Sequence, residues 1–357
     1  MKTVTLIFGG VSPEHEISIL SARSFYQALR SLGYEVILIG ITKAGKWILA
    51  EENTLLHSTV VPEEGQPVSL SMDPKNPGLW LKDHLIPLDY VVPILHGQGG
   101  EDGTIQGLLE LAGVPYLGCD MESSVCCMNK IITKQLLEAA HVEVTPWMHL
   151  ERESHFTEKA LLNLVQPLPY PLFIKPAHGG SSIGITKVKR PEELESAISE
   201  AFQYDREVLI EQGIRGREIE CSVLGDYEDI QASLPGEICP EREFYDYEAK
   251  YLEDSTRLMV PAKLTDEQSH RIQQTAVKVF KTLRCYGMAR VDFFLDEDTN
   301  KLFVNEVNTI PGFTSISLYP KLWEVNGLSY QQLVRVLVDL GLKKELIQQK
   351  CNKGGSK

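Results

Sequence analysis

No apolar run in this 357-residue chain approaches the roughly 20 residues that a membrane-spanning helix needs. After Met1-Lys2 the run Val4–Phe8 stops at Gly9-Gly10, too short for a signal-peptide core, so a cytoplasmic location is expected. Positive charge is also scarce. With 35 Lys and Arg against 49 Asp and Glu, the formal charge is −14. That balance opposes broad attraction to nucleic acid or an anionic membrane, because both require clustered cations. Neither is an expected partner, although a local basic pocket for one phosphorylated ligand stays compatible. Zinc-like cysteine spacing is missing too: Cys119, Cys126, Cys127, Cys221, Cys239, Cys285 and Cys351 contain no C-x-x-C pair. An odd set without a framework points to a reducing compartment. The adjacent Cys126-Cys127 is expected at a helix start. Internal repeats and low-complexity blocks are absent.

What is present is an ordinary globular composition, long enough for two or three domains. Residues 1–118 alternate strands and helices and read as an α/β domain with a parallel sheet. Thr3–Phe8, Tyr34–Ile41 and Tyr90–Leu95 are its strands, and residues 51–88 an excursion with short strands. Ser12 is the expected N-cap of the first helix, with Pro13 at its first position. Residues 119–211 form a second unit. It holds a helix at Asn129–Ala140, a hairpin of Leu172–Lys175 with Ile185–Lys189, a helix at Pro191–Gln203 and a strand at Glu207–Glu211. A third, 212–345, carries strands at Arg217–Leu224 and Ile230–Leu234, a long helix at Thr265–Arg284 and a last helix near Ser329–Leu340. The tail 346–357 belongs to a polar stretch, Lys343–Lys357, expected to fray.

Three stretches carry chemistry. The runs Ala289–Phe294 and Leu302–Asn308 flank the turn Glu297-Asp298-Thr299-Asn300 and read as an acidic hairpin. Side chains alternate along a strand. Pairing Asp292 with Glu306 would therefore put Arg290, Asp292, Glu306 and Asn308 on one face. Carboxylates among Val and Phe are costly if left bare, and open oxygen ligands of this kind suit Mg²⁺. His178-Gly179-Gly180-Ser181-Ser182-Ile183-Gly184 joins two strands, and its backbone N–H groups would approach an anion. It is not a P-loop, since no Gly-Lys-Ser/Thr opens a helix. Phe244–Tyr251, dense in aromatic and charged groups, reads as part of a lid over 244–256.

In order along the chain stand Gly9-Gly10…Glu14, His96-Gly97…Gly99-Gly100-Glu101-Asp102-Gly103, Lys175-Pro176…Gly180-Ser181-Ser182, Tyr245–Tyr251, Arg290-Val-Asp292 and Asn305-Glu306-Val-Asn308…Pro311-Gly312. This series resembles the D-alanine–D-alanine ligases of the ATP-grasp superfamily over nearly the whole chain. The resemblance implies an α/β (α+β), three-domain ATP-grasp architecture with an N-terminal Rossmann-like domain. It further implies ATP-dependent ligation of two D-alanines through a D-alanyl phosphate, for peptidoglycan precursor synthesis. By it, Asp292, Glu306 and Asn308 hold two Mg²⁺ (or Mn²⁺) ions. Lys130, Lys175, Ser182, Glu211, Ile214, Glu218 and Lys250 contact ATP, with Glu211 and Ile214 at the adenine and Glu218 at the ribose. Glu14 receives the ammonium of the first D-alanine, and Ser181 and Tyr251 link it to the lid. Arg290 and the Gly312 amide stabilise the oxyanion. His96, Ser317 and Leu318 face the second D-alanine. A homodimer through the first domain is also implied.

The base that deprotonates the incoming amine stays open between His96 and Tyr251, and an orienting role for His96 is an equal reading. Tyr251 in the lid, where D-lactate users carry His, and apolar Leu318, where D-serine users carry a polar group, favour D-alanine at both positions. Two alternatives remain: a related ATP-grasp ligase with D-serine or D-lactate as acceptor, and a non-catalytic nucleotide-binding sensor.

Overall fold

The computed structural model describes residues 3–152, 157–239 and 257–354. The first 94 residues supply strands β1 (Thr3–Gly9), β2 (Glu35–Ile41), β3 (Trp47–Leu49), β4 (Gln66–Pro67), β5 (Ser69–Leu70), β6 (Gly78–Leu81), β7 (His84–Pro87) and β8 (Val91–Ile94). One sheet runs β4-β3-β2-β1-β8, and β5, β6 and β7 form a small antiparallel sheet beside it. β1 pairs in parallel with both β2 and β8. β1 is buried on both faces from Val4 onward, and its stretch Leu6-Ile7-Phe8 is apolar without alternation. Gly9-Gly10 and the segment after Ile94 therefore open from neighbouring strand ends, the place where α/β sheets hold ligands.

The second sheet, ordered β11-β10-β12-β9, is wholly antiparallel. It comprises β9 (Trp147–Glu151), β10 (Leu172–Pro176), β11 (Thr186–Val188) and β12 (Glu207–Gln212). β10 and β11 bracket the glycine-rich loop. The third sheet holds β13 (Gly216–Gly225), β14 (Ile230–Ala232), β15 (Gly236–Cys239), β16 (Arg257–Met259), β17 (Gly287–Asp296) and β18 (Leu302–Asn308). Its path is β16-β15-β13-β17-β18, with β14 attached to β13. The capping box of Thr265 with Gln268 starts the helix Asp266–Thr282, whose Ile272, Ala276, Val279 and Phe280 are buried in the core that also holds β13, β17 and β18 residues.

Phe313 fastens the loop after β18. It is fully buried, and its ring lies 5.2 Å from Phe25 of the helix His15–Ser31 and 5.6 Å from Tyr330 of the C-terminal helix. N-terminal helix and C-terminal helices thus share one core with the first sheet. No helix among the described residues is long and apolar enough to cross a membrane.

Several local expectations are corrected. The first helix begins at His15 with Glu14 at its N-cap; Ser12 instead accepts the Glu14 N–H at 3.1 Å, closing a turn ahead of the helix. Cys126-Cys127 lies at the end of a helix, Met121–Met128, because Asp120 caps that helix at Ser123 N and Asn129 then caps the next. The last helix runs on from Tyr330 to Gly354. Two of its lysines are anchored rather than frayed: Lys343 pairs with Asp226, and buried Lys344 sits 4.7 Å from the Tyr116 ring and donates to Gly118 O. Strand β9 and the helix Leu318–Val325 were not foreseen. The expected lid 244–256, with Lys250 and Tyr251, falls outside the described residues.

Candidate active site

A cavity of about 550 Å³ lies where the three sheets meet, lined by Glu14, His96, Lys130, Ser181, Arg290, Glu306, Asn308, Gly312, Ser317 and Leu318 among others. Each arrives by a local rule. Asp292 stands directly opposite Glu306, and Arg290 opposite Asn308. Opposed residues share a face in an antiparallel ladder, so all four side chains project together, as the hairpin reading required. A bulge after Asp292 leaves Asn305 without a register partner. Asn305 Oδ1 accepts a long bond of 3.4 Å from Lys175 Nζ, which ties the hairpin to the strand before the glycine-rich loop.

Arg290 is the electrostatic centre of this face. It grips Asp292 with two parallel bonds of 2.7 Å and lies 2.9 Å from Glu220, which sits opposite Asp292 on β13. Burial opposes its charge, but Asp292 and Glu220 hold its pKa well above the ordinary value. Asn308 Nδ2 adds a bond of 2.9 Å to Asp292. Glu218 lies two residues before Glu220 and shares its face. Among the described residues no three His, Cys, Asp or Glu side chains form a closed metal cage. Two carboxylates and an amide oxygen on one open face fit instead a hard cation that takes further oxygens from its ligand.

The glycine-rich loop reaches the N-terminal helix. Ser181 and Ser182 both adopt left-handed backbone, with φ of 52° and 59°. The Ser181 hydroxyl donates to Glu14 at 2.6 Å. Gly97 also approaches this carboxylate: a Cβ there would lie 2.6 Å from Glu14 Oε2. Asn129 caps the helix Lys130–Ala139 at Ile131 N and Ile132 N, and Lys130 then bonds Gly179 O at 2.6 Å.

His96 and Glu101 clamp the loop bearing Gly312. Ile310 O lies 2.9 Å from His96 Nδ1, and a carbonyl only accepts, so Nδ1 carries the hydrogen. Nε2 then accepts from Ser21, 2.9 Å away, whose oxygen also receives Phe313 N–H. Burial lowers the His96 pKa and keeps the ring neutral. Both ring nitrogens are committed to protein, which favours the orienting role over that of base. Glu101 accepts from Ile310 N and Gly97 N, both at 2.9 Å. Burial, with the Glu14 carboxylate adding, lifts its pKa to about 8. Ser317 Oγ accepts from Thr314 N at 3.0 Å at the start of the helix Leu318–Val325, and Leu318 is buried there.

Lys175, Ser182, Glu211, Ile214, Glu218 and Asp292 are not in the cavity wall. The Glu211 carboxylate is spent on Lys134 and Lys175, at 2.6 and 2.5 Å. Burial opposes its ionisation, yet the two ammonium groups hold it at about 2. Sequence reasoning assigned no role to Ser21, Glu101, Lys134 or Glu220. Glu101 stood in the motif His96–Gly103 without a role, and Glu220 left a signal because it repeats Glu218 at the period of a strand.

The family model for the D-ala D-ala ligase N-terminus matches residues 3–119, and that for the C-terminus matches residues 136–339. A D-alanine–D-alanine ligase of Caldicellulosiruptor bescii is 47% identical over 96% of this chain and 95% of its own length. One from Thermoanaerobacter sp. is 44% identical over 98% of both. Among solved structures, the D-alanine–D-alanine ligase from Coxiella burnetii superposes with a TM-score of 0.86 at 37% identity, covering 98% of this chain and 97% of that one. The VanG D-Ala:D-Ser ligase from Enterococcus faecalis gives 0.85 at 39%, covering 95% and 99%.

Proposed function

The chain belongs to the D-alanine–D-alanine ligase family, and on that premise we propose how its residues join two D-alanines into D-alanyl-D-alanine with ATP. The observation that carries the assignment of roles is the meeting of Glu14, Ser181 and Arg290 around one cavity beside the acidic hairpin. A carboxylate is a poor acyl donor, so the γ-phosphoryl group of ATP first passes to the carboxylate of one D-alanine. Glu14, bound by Ser181, receives that substrate's ammonium. Lys130, Lys175, Lys250 and Ser182 meet the phosphates, the segment Glu211–Ile214 the adenine, and Glu218 the ribose. Asp292, Glu306 and Asn308 would hold two Mg²⁺ or Mn²⁺ ions, whose chemistry is to offset phosphate charge during transfer.

The amine of the second D-alanine, seated against Ser317 and Leu318, then attacks the acyl phosphate, and phosphate leaves. Arg290 and the Gly312 N–H stabilise the oxyanion of the tetrahedral intermediate. Gly312 lies between two residues whose backbones are gripped by His96, Glu101 and Ser21. Its N–H is therefore preorganised. Water would destroy the acyl phosphate, so the reaction calls for exclusion of solvent, the role expected of 244–256 with Tyr251.

We further propose the division into 1–118, 119–211 and 212–345, a homodimer through the first of these, and a cytoplasmic location. Phosphate release from MgATP with and without D-alanine, together with product analysis, tests the reading. Release should depend on D-alanine and fall at least about 100-fold in Asp292→Asn. ATP binding without D-alanine-dependent turnover would favour a sensor.

A further inference from the structure

Lys134 belongs to none of the steps above, yet it is among the most buried charges in the molecule, 1% exposed. All three of its hydrogens have partners inside the protein: Glu211 Oε1 at 2.6 Å, Thr145 O at 3.3 Å and the Thr145 hydroxyl. It has no donor left for a ligand. Lys175 differs. It holds Glu211 Oε2 at 2.5 Å and Asn305 by one long bond, and it keeps some exposure. Thr145 gives Glu211 Oε1 a further bond of 3.1 Å, so that oxygen keeps two partners and the carboxylate keeps one cation when Lys175 turns away from Oε2. One anion thus faces two cations, and the group carries a net positive charge that only Lys175 can turn outward.

We propose that Lys134 is a positioning residue: it serves as the resident counter-cation of Glu211 and so releases Lys175 to the nucleotide phosphates. Without Lys134, Glu211 would be a buried anion with Lys175 as its sole cation. An ion pair of that kind is costly to break, because separating it leaves a buried charge uncompensated. Lys175 would stay bound to Glu211. The inference rests on Lys175 as a phosphate contact.

The test is a double-mutant cycle on the full-length enzyme, reading KM for MgATP and KM for D-alanine separately. Lys134→Met should raise KM for MgATP about tenfold with KM for D-alanine within about twofold of wild type. In the Glu211→Gln background the same substitution should change KM for MgATP by less than about threefold, because no carboxylate remains to hold Lys175. Equal effects in both backgrounds, or no effect in either, would overturn the proposal. Lys134→Gln, which keeps hydrogen bonding but drops the charge, should behave as Lys134→Met and replaces it if that variant does not fold. Failure of both to fold would assign Lys134 to stability alone and also overturn the proposal. Absence of D-alanine-dependent turnover in the wild type would instead defeat the ligase reading.

Discussion

The Ser181 hydroxyl donates to the Glu14 carboxylate at 2.6 Å across 167 residues of chain, joining the glycine-rich loop to the N-terminal helix in a buried contact. The bond closes one wall of the cavity and aims the carboxylate that would receive an ammonium group. A hydrogen bond to a charged acceptor is worth about 1.5–3 kcal/mol. Ser181→Ala should therefore lower kcat/KM for the first D-alanine by about 10–100-fold. Steady-state kinetics over a D-alanine titration at saturating ATP check this. An unchanged kcat/KM would detach the loop from substrate binding.

Gly97 and Gly99 make a controlled pair. Both have positive φ, 72° and 83°, so alanine at either costs about 1–2 kcal/mol of backbone strain. Only at Gly97 does the new Cβ meet the site, 2.6 Å from Glu14 Oε2 and 2.7 Å from Ser12 Oγ; at Gly99 nothing lies within 4 Å. Thermal melts should show a loss for both variants, the larger for Gly97→Ala, where the Cβ also displaces buried side chains. Kinetics should separate them, with Gly97→Ala raising KM for D-alanine more than about tenfold and Gly99→Ala leaving it near wild type.

Glu101 gives a pH signature. Its carboxyl titrates at about 8 in the folded protein against an ordinary 4.5. Between those values the folded chain keeps a proton that the unfolded chain has released. The stability this contributes is complete below the lower value and is lost as pH rises through the upper one. Melting temperatures from about pH 5 to about pH 9 should therefore fall in wild type relative to Glu101→Gln. Parallel curves would mean that the carboxyl is not held protonated.

Under the proposed roles, acceptor choice would turn on Leu318. Its buried side chain offers a methyl group contact and no partner to a hydroxyl. D-Alanine should exceed D-serine as acceptor in kcat/KM by about 10–100-fold, and Leu318→Asn should narrow that gap. The fold alone does not decide it, since a D-Ala:D-Ser ligase superposes as well as a D-alanine–D-alanine ligase. A preference for D-lactate at neutral pH would overturn the assignment.

Much of this architecture was readable from local patterns, because those patterns are set by neighbours along the chain. The apolar run Thr3–Phe8 became β1, and the acidic hairpin paired Asp292 with Glu306. A strand's alternation decides which side chains share a face before any partner is known. Helix ends were less legible. Lys343 and Lys344 look like tail residues until Asp226 and Tyr116, more than 100 positions away, are seen to receive them.

The amino-acid order alone determined the strand faces, the glycine turns and the kinds of group available for chemistry, since all three follow from backbone geometry and side-chain type. Tertiary structure alone decided which of those groups are free to act. Glu211 is engaged by Lys134 and Lys175, His96 has both nitrogens tied to Ile310 and Ser21, and half-buried Glu101 feels the charge of Glu14. A side chain's charge and its available hydrogen bonds depend on partners and burial that only the folded chain assembles.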